Sequence, residues 1–278
     1  MQVGLSLLAA LFYGAADFCG GFATKRTAVL TVTVVSQFAG LIVLLAALPF
    51  FPASNYPSDY LYGALGGVCG AAGIALLYHA LSIGKMGVVS PVTAVLAAAL
   101  PVAVTAISGA RLAPLQLAGI GCALLAIVLI SASFENGIRE IRTPGLKEAA
   151  ASGLLLGAFY LLLARAHPAA GLHNLLAARL ASVAVLGLFA LARGVDLRPG
   201  RSALPLIVLA GALDMSTNVL YVLATFHGAL AIAAVLTSLY PASTVFLAAV
   251  LLRERLSRVQ WLGVIFAFAG VVLIALRR

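Results

Sequence analysis

Residues 230–275 read LAIAAVLTSLYPASTVFLAAVLLRERLSRVQWLGVIFAFAGVVLIA. Two apolar runs flank a charged turn, Arg253-Glu254-Arg255-Leu256-Ser257-Arg258, the pattern of two membrane-crossing helices joined tightly. A looser copy lies about 144 residues earlier, in MGVVSPVTAVLAAALPVAVTAISGARLAPLQLAGIGCALLAIVLIS, residues 86–131. At that offset Thr93 falls on Thr237, Arg111 on Arg255, Leu112 on Leu256, Gln116 on Gln260 and Gly119 on Gly263. Unrelated apolar helices share composition, but they do not keep an Arg-Leu pair and a Gln in register across a turn. The chain is therefore read as one unit written twice.

Working outward, 63% of the 278 residues are hydrophobic and only 9% are charged, far below the ~25% charged share of soluble domains. With about 20 apolar residues needed per helical crossing, spans are predicted at 4–23, 29–51, 60–81, 87–109, 114–132, 148–165, 172–193, 204–225, 229–252 and 258–276. The fold class is an all-α membrane protein with ten transmembrane helices. No block alternates as a barrel strand would. A net charge of +9 in a soluble chain would suggest nucleic acid, but here Lys and Arg sit in short loops, where they report topology. Cys19, Cys69 and Cys122 lie inside apolar blocks without paired spacing or a His cluster, and read as small core residues, not a disulfide or metal site. The first block lacks a basic start and contains Asp17, so it reads as a retained span, not a signal peptide.

The polar stretch 134–147, with Glu135, Arg139, Glu140, Arg142 and Pro144, divides a first five-helix unit, 1–133, from a second, 148–278. Five is odd, so the second unit enters the membrane from the opposite side. Inverted repeats around a central cavity give a protein two related conformations, the geometry of alternating access.

Polar residues within the spans mark the predicted site. Tyr13 and Asp17 are one helical turn apart, and an acid there either reaches the interface or faces a wet cavity. Gln37 interrupts span two, and Tyr78-His79 ends span three. Span four carries Pro91 and Pro101, and span nine carries Pro241 beside Thr237 and Tyr240. Paired proline-interrupted spans at corresponding places in two repeats point to a central binding site. Tyr160 repeats the character of Tyr13, although span six has no counterpart to Asp17. Arg179 lies in span seven, and Asp214 and Asn218 share a face of span eight with Tyr221 further along. Asp214 serves substrate or proton handling, or else a helix-locking ion pair whose leading partner is Arg179. Gly63, Gly67 and Gly70 suit close packing of backbones.

Tyr13-Gly14 to Lys25, Tyr78-His79-Ala80-Leu81, Tyr240-Pro241, and above all Arg253-Glu254-Arg255-Leu256 followed by Gln260 and Gly263, resemble the EamA-like family of the drug/metabolite transporter superfamily. The resemblance covers nearly the whole chain. It implies ten helices in inverted five-helix repeats, with helices five and ten outside the central cavity, and export of amino acids or other metabolites. The first repeat departs from the marker turn, reading Gly109-Ala110-Arg111-Leu112 without the Glu.

The expected function is secondary transport of a small, amino-acid-like metabolite, with export favoured, across a bacterial cytoplasmic (inner) membrane. Exchange of a sugar or nucleotide-sugar-like solute, or lipid flipping, is the alternative. The expected partners are the small-molecule substrate, the lipid bilayer and a coupling proton carried by Asp214 or Asp17. No cofactor, metal, nucleic acid or enzymatic activity is expected, and a monomer suffices. Cytosolic termini would leave about four positive charges in the inner loops and about twelve in the outer ones, so the positive-inside rule favours external termini.

Overall fold

The computed structural model describes residues 1–51, 56–107, 114–131, 133–135, 138–140, 144–167, 171–227, 233, 236–237 and 239–275. The turn at Arg111-Leu112, Ser238 and most of the first half of predicted span nine lie outside the described residues. The α-helices delimited among the described residues are α1 (Gln2–Thr24), α2 (Val29–Ala47), α3 (Pro57–Ile83), α4 (Met86–Ile107), α5 (Pro114–Ser131), α6 (Leu146–Leu163), α7 (His173–Ala192), α8 (Leu204–Phe226), α9 (Pro241–Leu251) and α10 (Arg258–Ala275), and residues 233 and 236–237 are helical as well. Among the described residues six helical segments, within α1, α2 and its continuation to Phe50, α3, α6, α7 and α8, are long and apolar enough to cross a membrane. The chain is an integral, multi-pass, predominantly helical protein. The polar stretch between α5 and α6 is not wholly irregular, because β1 (Ser133–Glu135) and β2 (Ile138–Glu140) pair antiparallel, with Phe134 opposite Arg139.

The packing crosses between the halves. Helix α3 lies against α6 and α7, α1 and α2 against α8, α4 against α6, and α5 pairs with α10. Glycine makes these approaches possible. A Cβ on Gly63 would strike the Asn174 carbonyl, and one on Gly67 would strike the Ala178 backbone, so α3 meets α7 main chain to main chain. Gly211 of α8 does the same against Ser36 of α2. Hydroxyls then tie the helices together: Ser152 of α6 donates to the Gly73 carbonyl at 2.7 Å, and Thr24 of α1 to the Tyr78 carbonyl at 2.9 Å. Of the three cysteines only Cys19 is fully buried, and all three are free thiols.

The prolines act differently in the two halves. Helix α4 runs continuously through Pro91 and Pro101, whereas α9 begins at Pro241 with Tyr240 as its N-cap. At the first helical position the missing proline N–H costs nothing, since that donor has no intrahelical acceptor. The predicted span 229–252 is thus interrupted at Pro241.

Residues from opposite halves also meet at the two ends of the bundle. At one, the Asp59 carboxylate accepts from the His167 amide at 3.1 Å and lies 2.9 Å from its ring Nδ1, with Tyr56 stacked on that ring. At the other, Arg253 turns the chain in the left-handed region (φ 54°) and the Glu254 amide returns to the Ala248 carbonyl at 3.2 Å. The Glu254 carboxylate then caps α4, accepting from the amides of Met86 and Gly87, each at 3.1 Å. Ser257 and Gln260 form a reciprocal capping box at the start of α10, with bonds of 3.2 and 3.1 Å.

Candidate functional site

Between the halves lies a cavity of about 50 Å³, bordered by α1, α2, α3, α6, α7 and α8. Its floor is glycine-lined, by Gly67 and Gly70 of α3, and its apolar wall includes Leu156, Phe159 and Met215. One polar cluster dominates. Arg179 of α7 donates to the Asp214 carboxylate of α8 at 2.6 Å and also to the Gln37 side-chain carbonyl of α2. Ser182, one turn beyond Arg179, donates to the same Gln37 oxygen at 2.9 Å. Asn218, one turn beyond Asp214, donates to the Asp214 main-chain carbonyl at 2.9 Å.

This arrangement follows from helical spacing. Arg179 and Ser182 are three residues apart, and Asp214 and Asn218 four, so each pair presents one face. Gly40 on α2 lets the α8 main chain approach, since an added Cβ would lie 3.0 Å from the Gly211 carbonyl oxygen, and the guanidinium lies beside it in ordinary contact. Buried charge needs both a counter-charge and hydrogen bonds, and the Arg179 fork receives one from Asp214 and the other from Gln37. Three helices are thereby joined at one guanidinium.

A second, aromatic cluster lies beside it. The Tyr13 hydroxyl meets the Tyr160 hydroxyl at 2.9 Å, and the Tyr13 ring lies 4.5 Å from the Tyr240 ring. Tyr78, fully buried, occupies the space left by Gly20.

Of the residues predicted from sequence, Tyr13, Gln37, Tyr160, Arg179, Asp214 and Asn218 line the cavity together. Asp17, Tyr78 and Tyr240 are not among its lining residues. Thr93 donates to the Ala149 carbonyl of α6 at 3.2 Å, and neither it nor Tyr221 nor Thr237 borders the cavity. Among the described residues α4 and α9 contribute none to the lining, and Pro91 and Pro241 instead share a small apolar crevice with Phe268. Ser182 and Met215 also line the cavity, with apolar residues such as Ile74, Leu156 and Leu175, and the sequence reading did not point to them. Ser182 was legible in principle from its place one turn after Arg179.

A search of curated proteins returned no match. Among solved structures, one crystal structure superposes with a TM-score of 0.62 at 15% sequence identity, covering 98% of this chain and 95% of that one. Such a likeness speaks for the fold alone. The family model of the EamA-like transporter family matches twice, over residues 1–132 and 144–276, which together span nearly all of the sequence. Two tandem matches over a membrane-embedded helical chain mean that the protein belongs to the EamA-like transporter family, within the drug/metabolite transporter superfamily.

Proposed function

We propose that this protein is a secondary active transporter that moves a small, amino-acid-like metabolite by alternating access, with ten spans arranged as two inverted five-helix repeats in a cytoplasmic membrane. The observation that carries the reading is the cavity between the halves, where Arg179, Asp214 and Gln37 from three helices converge opposite the Tyr13 and Tyr160 hydroxyls. Charged groups are retained inside a bundle where they serve a pathway. A guanidinium suits a carboxylate, the acid suits an ammonium, and aromatic rings suit an apolar side chain.

About 50 Å³ holds a few waters, each needing roughly 10–15 Å³. A metabolite requires more. The arrangement therefore corresponds to a contracted step of the cycle, and solute binding requires the halves to separate around the Arg179 cluster. Contacts between the halves at both ends of the bundle, Asp59 with His167 and Glu254 with the α4 amides, are suited to hold such a contracted state.

The test is flux in vesicles containing the purified protein, across a panel of amino acids, sugars and organic cations, with and without a pH gradient. Saturable movement of amino acids that protein-free vesicles lack is the expected result. Movement confined to sugars would replace the substrate class. Absence of any solute movement by folded protein, together with flipping of a labelled lipid, would replace transport by lipid translocation.

A further inference from the structure

Asp17 is 1% exposed, and neither of its carboxylate oxygens has a hydrogen-bond partner among the described residues. It is the acid that the Arg179 cluster leaves out. On α1 it shares a face with Gly14, one turn earlier, and with Gly20 and Gly21, one turn later. Gly14 abuts the first turn of α9, while Gly20 and Gly21 abut Tyr78 and Leu81 of α3. The Asp17 side chain is therefore directed to where α1, α3 and α9 meet, with α8 and its Asp214 close by.

Several donors around it are committed elsewhere. Ser243 and Thr244 of α9 donate to the α1 carbonyls of Ala10 and Gly14, at 3.1 Å each. Thr217 of α8 donates to the carbonyls of Ala9 and Leu213. Asn218 donates to the Asp214 carbonyl, and Tyr13 pairs with Tyr160. The titratable groups that face it are Tyr13 on α1 itself, Tyr78 on α3, Tyr160 on α6, Asp214 on α8 and Tyr240 at the start of α9. None of these is cationic, and the Arg179 fork is divided between Asp214 and Gln37.

An ionised carboxylate without partners is not tolerated in such a site, because desolvation costs several kcal/mol even after relaxation. A metal ion would need several oxygen ligands, and among the described residues no group of three His, Cys, Asp or Glu side chains could hold one. A proton needs one oxygen.

We propose that Asp17 is the proton-binding site of the transport cycle, while Asp214 stays ionised as the partner of Arg179. The proposal rests on the transporter reading for its role, but the occupancy of Asp17 stands without it. In the contracted state the interior is neutral: Arg179 balances Asp214, and Asp17 is a neutral acid. When the halves separate and water reaches α1, the carboxylic acid gives its proton to water, leaving a carboxylate and a hydronium ion. The carboxylate must recapture a proton, or pair with a cationic solute, before the halves can close again. One proton is exchanged per closure.

The experiment is infrared difference spectroscopy of the full chain in lipid vesicles, reading the carbonyl stretch of a protonated carboxylic acid through a pH step. A protonated-acid band at neutral pH is expected in the wild type, lost in Asp17→Asn and shifted in frequency in Asp17→Glu. Its persistence unshifted in both variants, or its absence from the wild type, would overturn the assignment. The shift in Asp17→Glu decides the matter should Asp17→Asn fail to fold. Replacing choline with sodium should leave the band unchanged, and a band abolished by sodium would assign the site to a metal cation instead. A band that behaves as expected in a protein that moves no solute would leave the proton site standing and remove the transporter reading alone.

Discussion

The Tyr13 and Tyr160 hydroxyls meet at 2.9 Å, joining the first helix of one half to the first helix of the other across the cavity. A bond at that place must break whenever α1 and α6 move apart. Tyr13→Phe and Tyr160→Phe each remove it while keeping the ring, so both should destabilise the contracted state by roughly 0.5–1.5 kcal/mol. Because the two hydroxyls share one bond, the double variant should cost little more than either single one. Thermal unfolding of the four proteins in lipid checks this, and strictly additive losses would show that the hydroxyls act separately.

Arg179 and Asp214 form the second test. Removing one member of a buried pair strands the other, at about 3–5 kcal/mol, whereas replacing both with apolar groups of similar size is often neutral. Arg179→Met alone should be strongly destabilised, and Arg179→Met with Asp214→Leu should recover most of the loss. Both should lose transport. Arg179→Lys should not substitute, since a point charge cannot reach Asp214 and Gln37 with one planar fork. Retained flux in the double variant would show that the pair serves folding and not the solute.

Much of this was legible in the residues themselves. The Arg179–Asp214 pair was accessible because a buried arginine and a buried acid in neighbouring spans have few other ways to be satisfied. The Gly63, Gly67 and Gly70 spacing announced a close helix contact, though not which helix would supply it. The position of Thr93 shows why the rest was hidden. A hydroxyl in an apolar span satisfies itself on whichever carbonyl lies nearest, here that of Ala149, and the face it presents depends on the neighbouring helix. Proline was informative about α9, whose start it fixes, but not about α4, which tolerates both of its prolines within a continuous helix. The role of Glu254 was unreadable for a similar reason: its acceptors are used by amides 168 and 167 residues away in the chain.

That capping contact leads to a third expectation. A carboxylate accepting from two amides at a helix start combines hydrogen bonding with the favourable end of the helix dipole. Glu254→Ala should lower stability by about 1–2 kcal/mol, and Glu254→Gln by less, since the amide oxygen can still accept one bond. The neighbouring Arg253 holds a positive φ of 54° that glycine adopts without strain. Arg253→Gly should therefore be tolerated or mildly stabilising. Hydrogen exchange at the Met86 and Gly87 amides provides the local readout, and unchanged protection in Glu254→Ala would remove the capping role. The first half carries Ala110 at the place corresponding to Glu254. Introducing Ala110→Glu asks whether the first half can gain a similar cap, and a slower transport cycle is the expected sign.

Glycine packing gives the sharpest contrast between sites of one residue type. A Cβ on Gly67 would lie 2.7 Å from Ala178 Cα, a backbone atom that no rotamer change can move, whereas a Cβ on Gly187 meets nothing within 4 Å. Both glycines are in helices. Gly187→Ala should thus show only the helix-propensity gain, up to about 1 kcal/mol, while Gly67→Ala must push α3 from α7 and should lose about 1–3 kcal/mol, the range for overpacking. Gly67 also borders the cavity, so the displaced α3 should move its floor away from Arg179 and weaken solute binding as well as stability. Equal unfolding temperatures for the two variants would mean that α3 and α7 are not in main-chain contact in the membrane, and the cavity geometry built on that contact would fall with it.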